Sequence, residues 1–448
     1  MKRHFCLFLA LAAYASAEPE DFDRLTFHSA PEPLNHEAVT SDWPRFLGPN
    51  HNLHSPETQL LKDWPESGPT PIWEVERGSG HAPAVVKGDY VVLFHELNSR
   101  ELVECLHPET GKRHWKFDYP VTLGSSYGQQ DAPRAPAVID GDLTFSVGLR
   151  GDLHCFHLQT GEVVWKKNLN EEYGDAPFFF GRGSSPLVLG EHLILNTGGR
   201  ACVVALDKKT GKEVWATPHQ WQASYASPVP ATIHGKKRVM VLTGGMTNPP
   251  SGGLLSLDPA NGKIDGAFPW RASMFASVNA ASPVVVGNGV FITESYTEGG
   301  GLIRFPPTGK AELVWKAPRF GSQITTPVLH EGHLYGFDGS SASGTELVCY
   351  EAESGREVWR DGLAIEIGAS RALPGRGSLL RADGAFLCLG AQGSLLWLDL
   401  SPKGVTILSK AQLFRAPETW GAPALSRGLL FVNQNALGSR LIAYDLRK

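Results

Sequence analysis

At 448 residues the chain could hold two or three ordinary domains, but closed all-β folds accommodate as many residues in one unit, so length leaves the domain count open. Forty-nine glycines, thirty-two prolines and only four methionines weigh against a helix-dominated enzyme and point to an all-β chain of short strands and many turns. A formal net charge of -5 argues against non-specific nucleic-acid binding.

In chain order, residues 1–17 combine a basic start (Lys2, Arg3), an apolar run from Phe5 to Tyr14 and the small-residue sequence Ala15-Ser16-Ala17. This is the pattern of a secretory signal cleaved after Ala17, which predicts an exported protein, periplasmic or extracellular. The apolar run is too short to span a bilayer, no later stretch approaches twenty apolar residues, and no cysteine follows it to accept a lipid, so no membrane span is expected. The remaining cysteines (Cys105, Cys155, Cys202, Cys349, Cys388) are odd in number and lack CxxC spacing, which disfavours a disulfide framework. Residues 18–70 read as a lead-in segment before the repeats begin.

From residue 71 onward one design recurs. "CLHPETGKRHW" (Cys105 to Trp115), "CFHLQTGEVVW" (Cys155 to Trp165), "ALDKKTGKEVW" (Ala205 to Trp215) and "CYEAESGREVW" (Cys349 to Trp359) keep a small residue, a turn glycine and a tryptophan at fixed offsets. Looser copies end at Trp270 and Trp315. With Trp73, the tryptophans are 42, 50, 50, 55, 45 and 44 residues apart, a period that marks repeated four-stranded units. A proline opens each apolar strand as an independent ladder: Pro83, Pro136, Pro186, Pro228, Pro283, Pro327, Pro374 and Pro423. Eight prolines predict eight units, since proline is tolerated where a strand begins.

"SPLVLGEHLILNTGGRACVVALDKKTGKEVW" (Ser185 to Trp215) divides into four strands separated by glycine turns, which is one propeller blade. The predicted fold is therefore an all-β, eight-bladed β-propeller over residues 71–448. Trp73, Trp115, Trp165, Trp215, Trp270, Trp315 and Trp359 are expected to dock one blade on the next. Each would bury roughly 150 to 250 Å², on the order of 4 to 6 kcal/mol before ordering entropy is subtracted. The three cysteines opening repeats are expected to be small buried hydrophobes. The seventh unit places Leu408 at the tryptophan position. The last unit, from Pro423, is one strand short, and "PIWEV" (Pro71 to Val75) is the strand available to complete it and close the ring.

These repeats resemble the pyrroloquinoline-quinone-type propeller, with "ALDKKTGKEVW" matching its tryptophan-docking motif at Ala205, Asp207, Thr210, Gly211 and Trp215. The resemblance covers almost all of the mature chain and implies the fold. It embraces calcium-dependent quinoprotein alcohol and sugar dehydrogenases as well as cofactor-free outer-membrane assembly scaffolds of the BamB type. The dehydrogenases are marked by adjacent cysteines and an assignable base Asp, and this chain has no Cys-Cys pair and no Asp that stands out for that role. The lipid-bearing cysteine of the scaffold is absent too. The resemblance thus leaves open a cofactor-free module or, alternatively, a protein that uses the quinone (PQQ) with calcium.

In a propeller the loops before the innermost strands crowd one mouth of the central channel. Counting back from the eight prolines selects His81, Arg134, Arg182, Tyr225, Asn279, Gln323, Arg371 and Trp420, one per blade. Three arginines and a histidine in one funnel predict a site for a carboxylate or phosphate, because a guanidinium fork matches either and a concave mouth concentrates its field. The competing expectation is that Asp131, Asp175 and Glu366 pair with these arginines and only hold the ring together. The loops are also rich in aromatics, including the run Phe178-Phe179-Phe180, which favours a protein or peptide partner. "HEGH" (His330 to His333) and "HCFH" (His154 to His157) lack a third ligand, so no metal site is expected. No G-x-S-x-G stands in a strand-to-helix context. The sequence therefore predicts a non-catalytic binding or scaffold module, with the quinoprotein dehydrogenase as the alternative.

Overall fold

The computed structural model describes residues 18–124, 131–175, 179–275, 277–340, 344–367, 370–372, 374–435 and 438–448. The predicted signal lies outside them. Eight antiparallel four-stranded sheets follow one another around the ring. Seven occupy residues 85–120, 138–168, 187–217, 229–269, 284–317, 328–361 and 378–412. The eighth combines the strands Ala424–Ser426, Leu429–Gln434 and Arg440–Asp445 with Pro71–Glu76, which runs antiparallel to Arg440–Asp445. The expected closure by an N-terminal strand is present. Leu25–Phe27 adds a fifth strand outside it, pairing Phe27 with Trp73.

Each outer strand carries a β-bulge at the docking position, which twists it across the next blade. The small residue and the tryptophan are cross-strand partners there: Cys105 with Trp115, Cys155 with Trp165, Ala205 with Trp215, Cys349 with Trp359 and Ala443 with Trp73. The indole N–H then donates to the third turn of the following blade. Trp73 reaches the Pro108 carbonyl at 2.7 Å, Trp115 that of Leu158 at 2.7 Å, Trp165 that of Lys208 at 3.0 Å and Trp215 that of Pro259 at 3.1 Å. Trp315 reaches Ala352 at 3.0 Å and Trp359 reaches Ser401 at 2.7 Å. Three residues after most of these carbonyls stands the turn glycine, and a Cβ on Gly161 would lie 2.4 Å from the Trp115 ring. The glycine thus meets two demands at once: positive φ, at 71° for Gly161, and an empty face for the indole.

Two interfaces depart from the expected docking. In the fourth blade Gly266 pairs with Ser256 and occupies the tryptophan position, while Trp270 lies further on. Phe305 of the fifth blade fills the vacated space, since a Cβ on Gly266 would lie 2.6 Å from its ring. Trp270 is buried against Gly301, with its indole nitrogen lacking a hydrogen-bond partner among the described residues and Lys316 Nζ 4.7 Å from the ring. In the seventh blade the docking position belongs to Ser409, opposite Trp397, and Leu408 is exposed. Large and small residues have changed strands there, and the eighth blade's third and outer strands, Arg440–Asp445 and Pro71–Glu76, come from distant parts of the chain and have no turn between them to dock on. Trp397 instead donates to the Leu61 carbonyl at 3.0 Å and packs against Trp64.

Residues 41–61 cross the channel at the end remote from Pro83. Trp43 pairs with Val86 of the first blade, and the Pro44 carbonyl accepts from Ile139 N–H of the second. His54 Nε2 lies 3.0 Å from the Leu329 carbonyl of the sixth blade, and Leu53 and Ser55 bond with Arg381 of the seventh. Buried Glu57 accepts the N–H groups of Ser41, Arg427 and Gly428, the latter two in the eighth. The segment closes one end of the channel. Opposite it, Arg24 bonds Glu104, which also bonds His95 at 2.8 Å, joining the outermost strand to the first blade through a fully buried carboxylate.

Two glycine substitutions separate the two demands on the turn. Gly141 has φ 62° and open space around its missing Cβ, so Gly141→Ala is expected to cost only the left-handed strain, about 1 to 2 kcal/mol. Gly161→Ala adds displacement of Trp115, roughly a further 1 to 3 kcal/mol. Denaturant unfolding of the two variants measures the difference, and equal losses would show that the indole contact contributes nothing.

Candidate functional site

The loops before the innermost strands converge on a cup of about 350 Å³ whose wall includes His81, Arg134, Tyr225, Gln323 and Trp420, five of the eight residues selected by counting back from the prolines. Phe46, from the segment that crosses the channel, also lines it, so the lead-in contributes to the binding space. Arg182 and Asn279 stand elsewhere. Arg182 is buried, donating to Asn170 Oδ1 and to the Thr197 carbonyl at 2.8 Å, where it secures the short helix Leu169–Tyr173. Burial lowers its pKa to about 10, so it stays cationic. Asn279 is fully buried and donates to the Thr243 carbonyl, while its neighbours Val278 and Ala280 face the cup. Arg371 belongs to the hairpin Ile365–Ile367 and Ser370–Ala372, opposite Glu366, and its side chain lies outside the described residues.

Among the described residues, the seventh blade contributes Arg376 to the cup. Counting back from Pro374 misses it because that blade's inner strand begins only at Ser378. Tyr296, Asp131 and Glu418 also line the wall. The signal that would have found Arg376 is the apolar run Ser378 to Ala382 itself, with the residues just before it.

The wall is a set of short polar chains. Arg376 donates to Gln323 Oε1 at 2.5 Å and pairs with Glu418, while Gln323 Nε2 donates to the Tyr296 hydroxyl. The Arg376 guanidinium lies 5.0 Å from the Trp420 ring, whose indole stacks on His81 at 4.4 Å. Arg134 donates to the Phe180 carbonyl at 3.1 Å and lies over the Phe180 ring, and the Phe180 N–H donates to the Tyr225 hydroxyl at 3.2 Å. His81 is neutral: burial lowers its pKa, and the Asp131 carboxylate 3.8 Å away does not overcome this. The same histidine draws the pKa of Asp131 down. Of the three arginines and the histidine expected at this mouth, the described wall includes Arg134 and His81. The described wall has two arginines and two carboxylates.

The third strand of the first blade carries a carboxyl of different character. Glu101 is fully buried, accepts the Leu149 N–H of the second blade at 2.9 Å, and has its pKa pushed up to about 7 by burial. Gly148 leaves the room: a Cβ there would stand 2.2 Å from Glu101 Oε2 and 2.5 Å from the Tyr119 hydroxyl. Burial also presses Glu104 upward, but hydrogen bonds from His95 and Arg24 outweigh it and hold the pKa at about 2. Among the described residues no group of three His, Cys, Asp or Glu side chains is placed to hold a metal ion, which includes the HEGH and HCFH stretches.

Eight four-stranded blades locked by indole docking around a cup define a β-propeller of the pyrroloquinoline-quinone-like class. The family model described as outer membrane protein assembly factor BamB matches residues 99–361, more than half of the sequence, and the chain belongs to that family. No curated protein sequence matches it. Among solved structures, BamB from Moraxella catarrhalis is similar at 14% identity and TM-score 0.54, covering 84% of this chain and 97% of that one. A europium-containing methanol dehydrogenase is similar at 12% identity and TM-score 0.64, covering 91% and 98%. The computationally designed Ika8 protein is similar at 10% identity and TM-score 0.53, covering 82% and 97%. At these identities the likeness is one of fold. No helix among the described residues is long and apolar enough to cross a membrane.

Glu101 and Glu104 give opposite pH signatures. The folded state holds the Glu101 proton more tightly than the unfolded chain does, so its contribution is complete below about pH 4.5 and is lost as pH rises through 7, about 3 kcal/mol in all. Glu104 contributes above about pH 4.5 and loses that contribution as pH falls toward 2. Glu101→Gln keeps an acceptor for Leu149 and is expected to remove the loss between pH 5 and 8, measured as denaturation midpoint against pH. A variant with the unaltered slope would contradict the assignment.

Proposed function

We propose that this protein is an exported, non-catalytic binding or scaffold module that takes up a segment of a protein or peptide partner through its cup and loop-bearing face. The observation that carries this reading is the wall itself. Aromatic rings from Phe46, Phe180, Tyr225, Tyr296 and Trp420 alternate with charges of opposite sign, Arg376 paired with Glu418 and Arg134 near Asp131. Such a surface selects for shape, ring contact and neutral hydrogen-bonding groups over a strong anion. Exposed Met274 and Phe275, in the loop leading to the fifth blade, extend the apolar character of the same face. The signal pattern of residues 1–17 supports export, and family membership supports a role as an assembly factor.

The quinone with calcium suits this wall poorly. Calcium binds six to eight oxygens, most of them anionic or carbonyl. The described wall offers two carboxylates, Asp131 and Glu418, and Glu418 is engaged by Arg376. The Trp420 ring already carries His81 and Arg376. Calorimetric titration of the mature protein with pyrroloquinoline quinone, with and without calcium, tests the point, alongside an Arg134→Ala, Arg376→Ala variant. No saturable binding is expected. Calcium-dependent binding lost in the variant, with dye-linked oxidation of an alcohol or sugar, would put the dehydrogenase reading in its place.

A further inference from the structure

Beside the cup, and sharing His81, Asp131, Glu418 and Trp420 with it, a groove of about 570 Å³ runs into the seam where the eighth blade meets the first. Gly78, Ser79, Gly80, Asn435 and Ser439 form its remaining polar and backbone wall. Behind that wall is Arg77, 5% exposed. Its guanidinium donates to the carbonyls of Gly80 at 3.0 Å and Gln434 at 3.4 Å and to Asn435 Oδ1, and no carboxylate among the described residues pairs with it.

This arrangement sets the proton of His81. A guanidinium only donates, so the Asn435 amide must turn its oxygen toward Arg77. The amide nitrogen is thereby directed at His81 Nδ1, 2.7 Å away, and Nδ1 must accept. In the neutral ring the proton is then on Nε2. That N–H has no hydrogen-bond partner among the described residues, and the Asp131 carboxylate at 3.8 Å is beyond bonding distance. Trp420 presents a second buried N–H without a partner. One wall therefore offers two fixed donors beside a half-exposed carboxylate acceptor.

Resting on the reading of the cup as a peptide-binding space, we infer that the seam groove holds an extended polypeptide segment and that His81 and Asp131 together read one stretch of its main chain. The His81 Nε2–H donates to a backbone carbonyl, and the Asp131 carboxylate accepts from a backbone N–H. Arg77 and Asn435 are positioning residues that act through the histidine. A free anion would meet Asp131 and Glu418 on the same wall, and Glu418 is already paired with Arg376, whereas a peptide group brings both an acceptor for the His81 N–H and a donor for Asp131. A sugar stacks its C–H face on an exposed ring, and the indole here is already covered by His81 and by the Arg376 guanidinium.

The test uses the mature full chain with ¹⁵N-labelled histidine, observed by two-bond ¹⁵N–¹H correlation, which distinguishes the tautomers. The free protein should show His81 as the Nε2–H form, and Asn435→Leu should convert it to a mixture while buried His95 keeps its signal. Acetyl-tetraalanine amide, added up to its solubility limit, should move the His81 Nε2 resonance, and Asp131→Asn should weaken that binding about tenfold. Sorbitol should leave the resonance in place. An Nδ1–H form in the free protein overturns the inference, as does a sorbitol shift without a peptide shift. Peptide-induced shifts at the indoles of the cup that leave His81 unmoved, or that Asp131→Asn leaves unweakened, overturn it and spare the peptide-binding reading. No peptide-induced shift at any histidine or indole removes both.

Discussion

The contact between a tryptophan and the glycine turn of the next blade is the constraint on which this fold depends. It is a packing interaction with a directional hydrogen bond at its edge, and it makes two distant residues dependent on each other: the indole requires a missing side chain some 45 residues away. Trp115 over Gly161 and Trp165 over Gly211 show it in full, each with the indole N–H on a carbonyl three residues before the glycine. Because the same contact joins Trp73 to Gly111, the N-terminal strand is held to the first blade as well as to the eighth, and the ring closes through packing as well as through strand pairing. Because each blade is a separate short sheet, its edges are short, which limits the principal hazard of a β-rich chain.

Closure by a strand from the other end of the chain has a consequence at the seventh blade. The eighth blade lacks the turn that a seventh tryptophan would need, and the structure answers with Ser409 at that position, Trp397 on the adjacent strand and the backbone of Leu61 as the acceptor. The lead-in segment supplies the missing turn. On its way there it crosses the channel, and Phe46 becomes part of the cup. One stretch of chain thus completes the ring and shapes the binding space.

The seam also explains where the polar wall is concentrated. Trp73 docks across this seam as the other indoles do, and beyond it the path from the closing strand into the first blade passes through Gly78, Ser79 and Gly80, small residues backed by the buried Arg77 guanidinium. A Cβ on Gly78 would lie 1.7 Å from the Glu96 carbonyl oxygen, so the chain is pressed against the first blade there and leaves the groove open on its other side. The histidine that faces this groove is neutral through burial and is oriented by Asn435 and Arg77, neither of which lines the cup.

Much of this was legible from the chain alone. Recurring offsets of small residue, glycine and tryptophan, with the eight prolines, establish the blade count, the all-β class and the closing strand, because a repeat must satisfy the same packing problem at every turn of the ring. The exceptions were not legible. Trp270 keeps the period yet falls outside the docking position, since only strand register shows that Gly266 lies opposite Ser256 and that Phe305 fills the space. The rim was readable residue by residue but not as an electrostatic whole: Arg182 turns inward to a helix and Arg376 takes a place on the wall. Local sequence determines which residues stand near the mouth, through strand starts and turn lengths. Which of them face the cup, and which charges meet and cancel, depends on side-chain direction and on partners from neighbouring blades, and those are set only when the ring is closed.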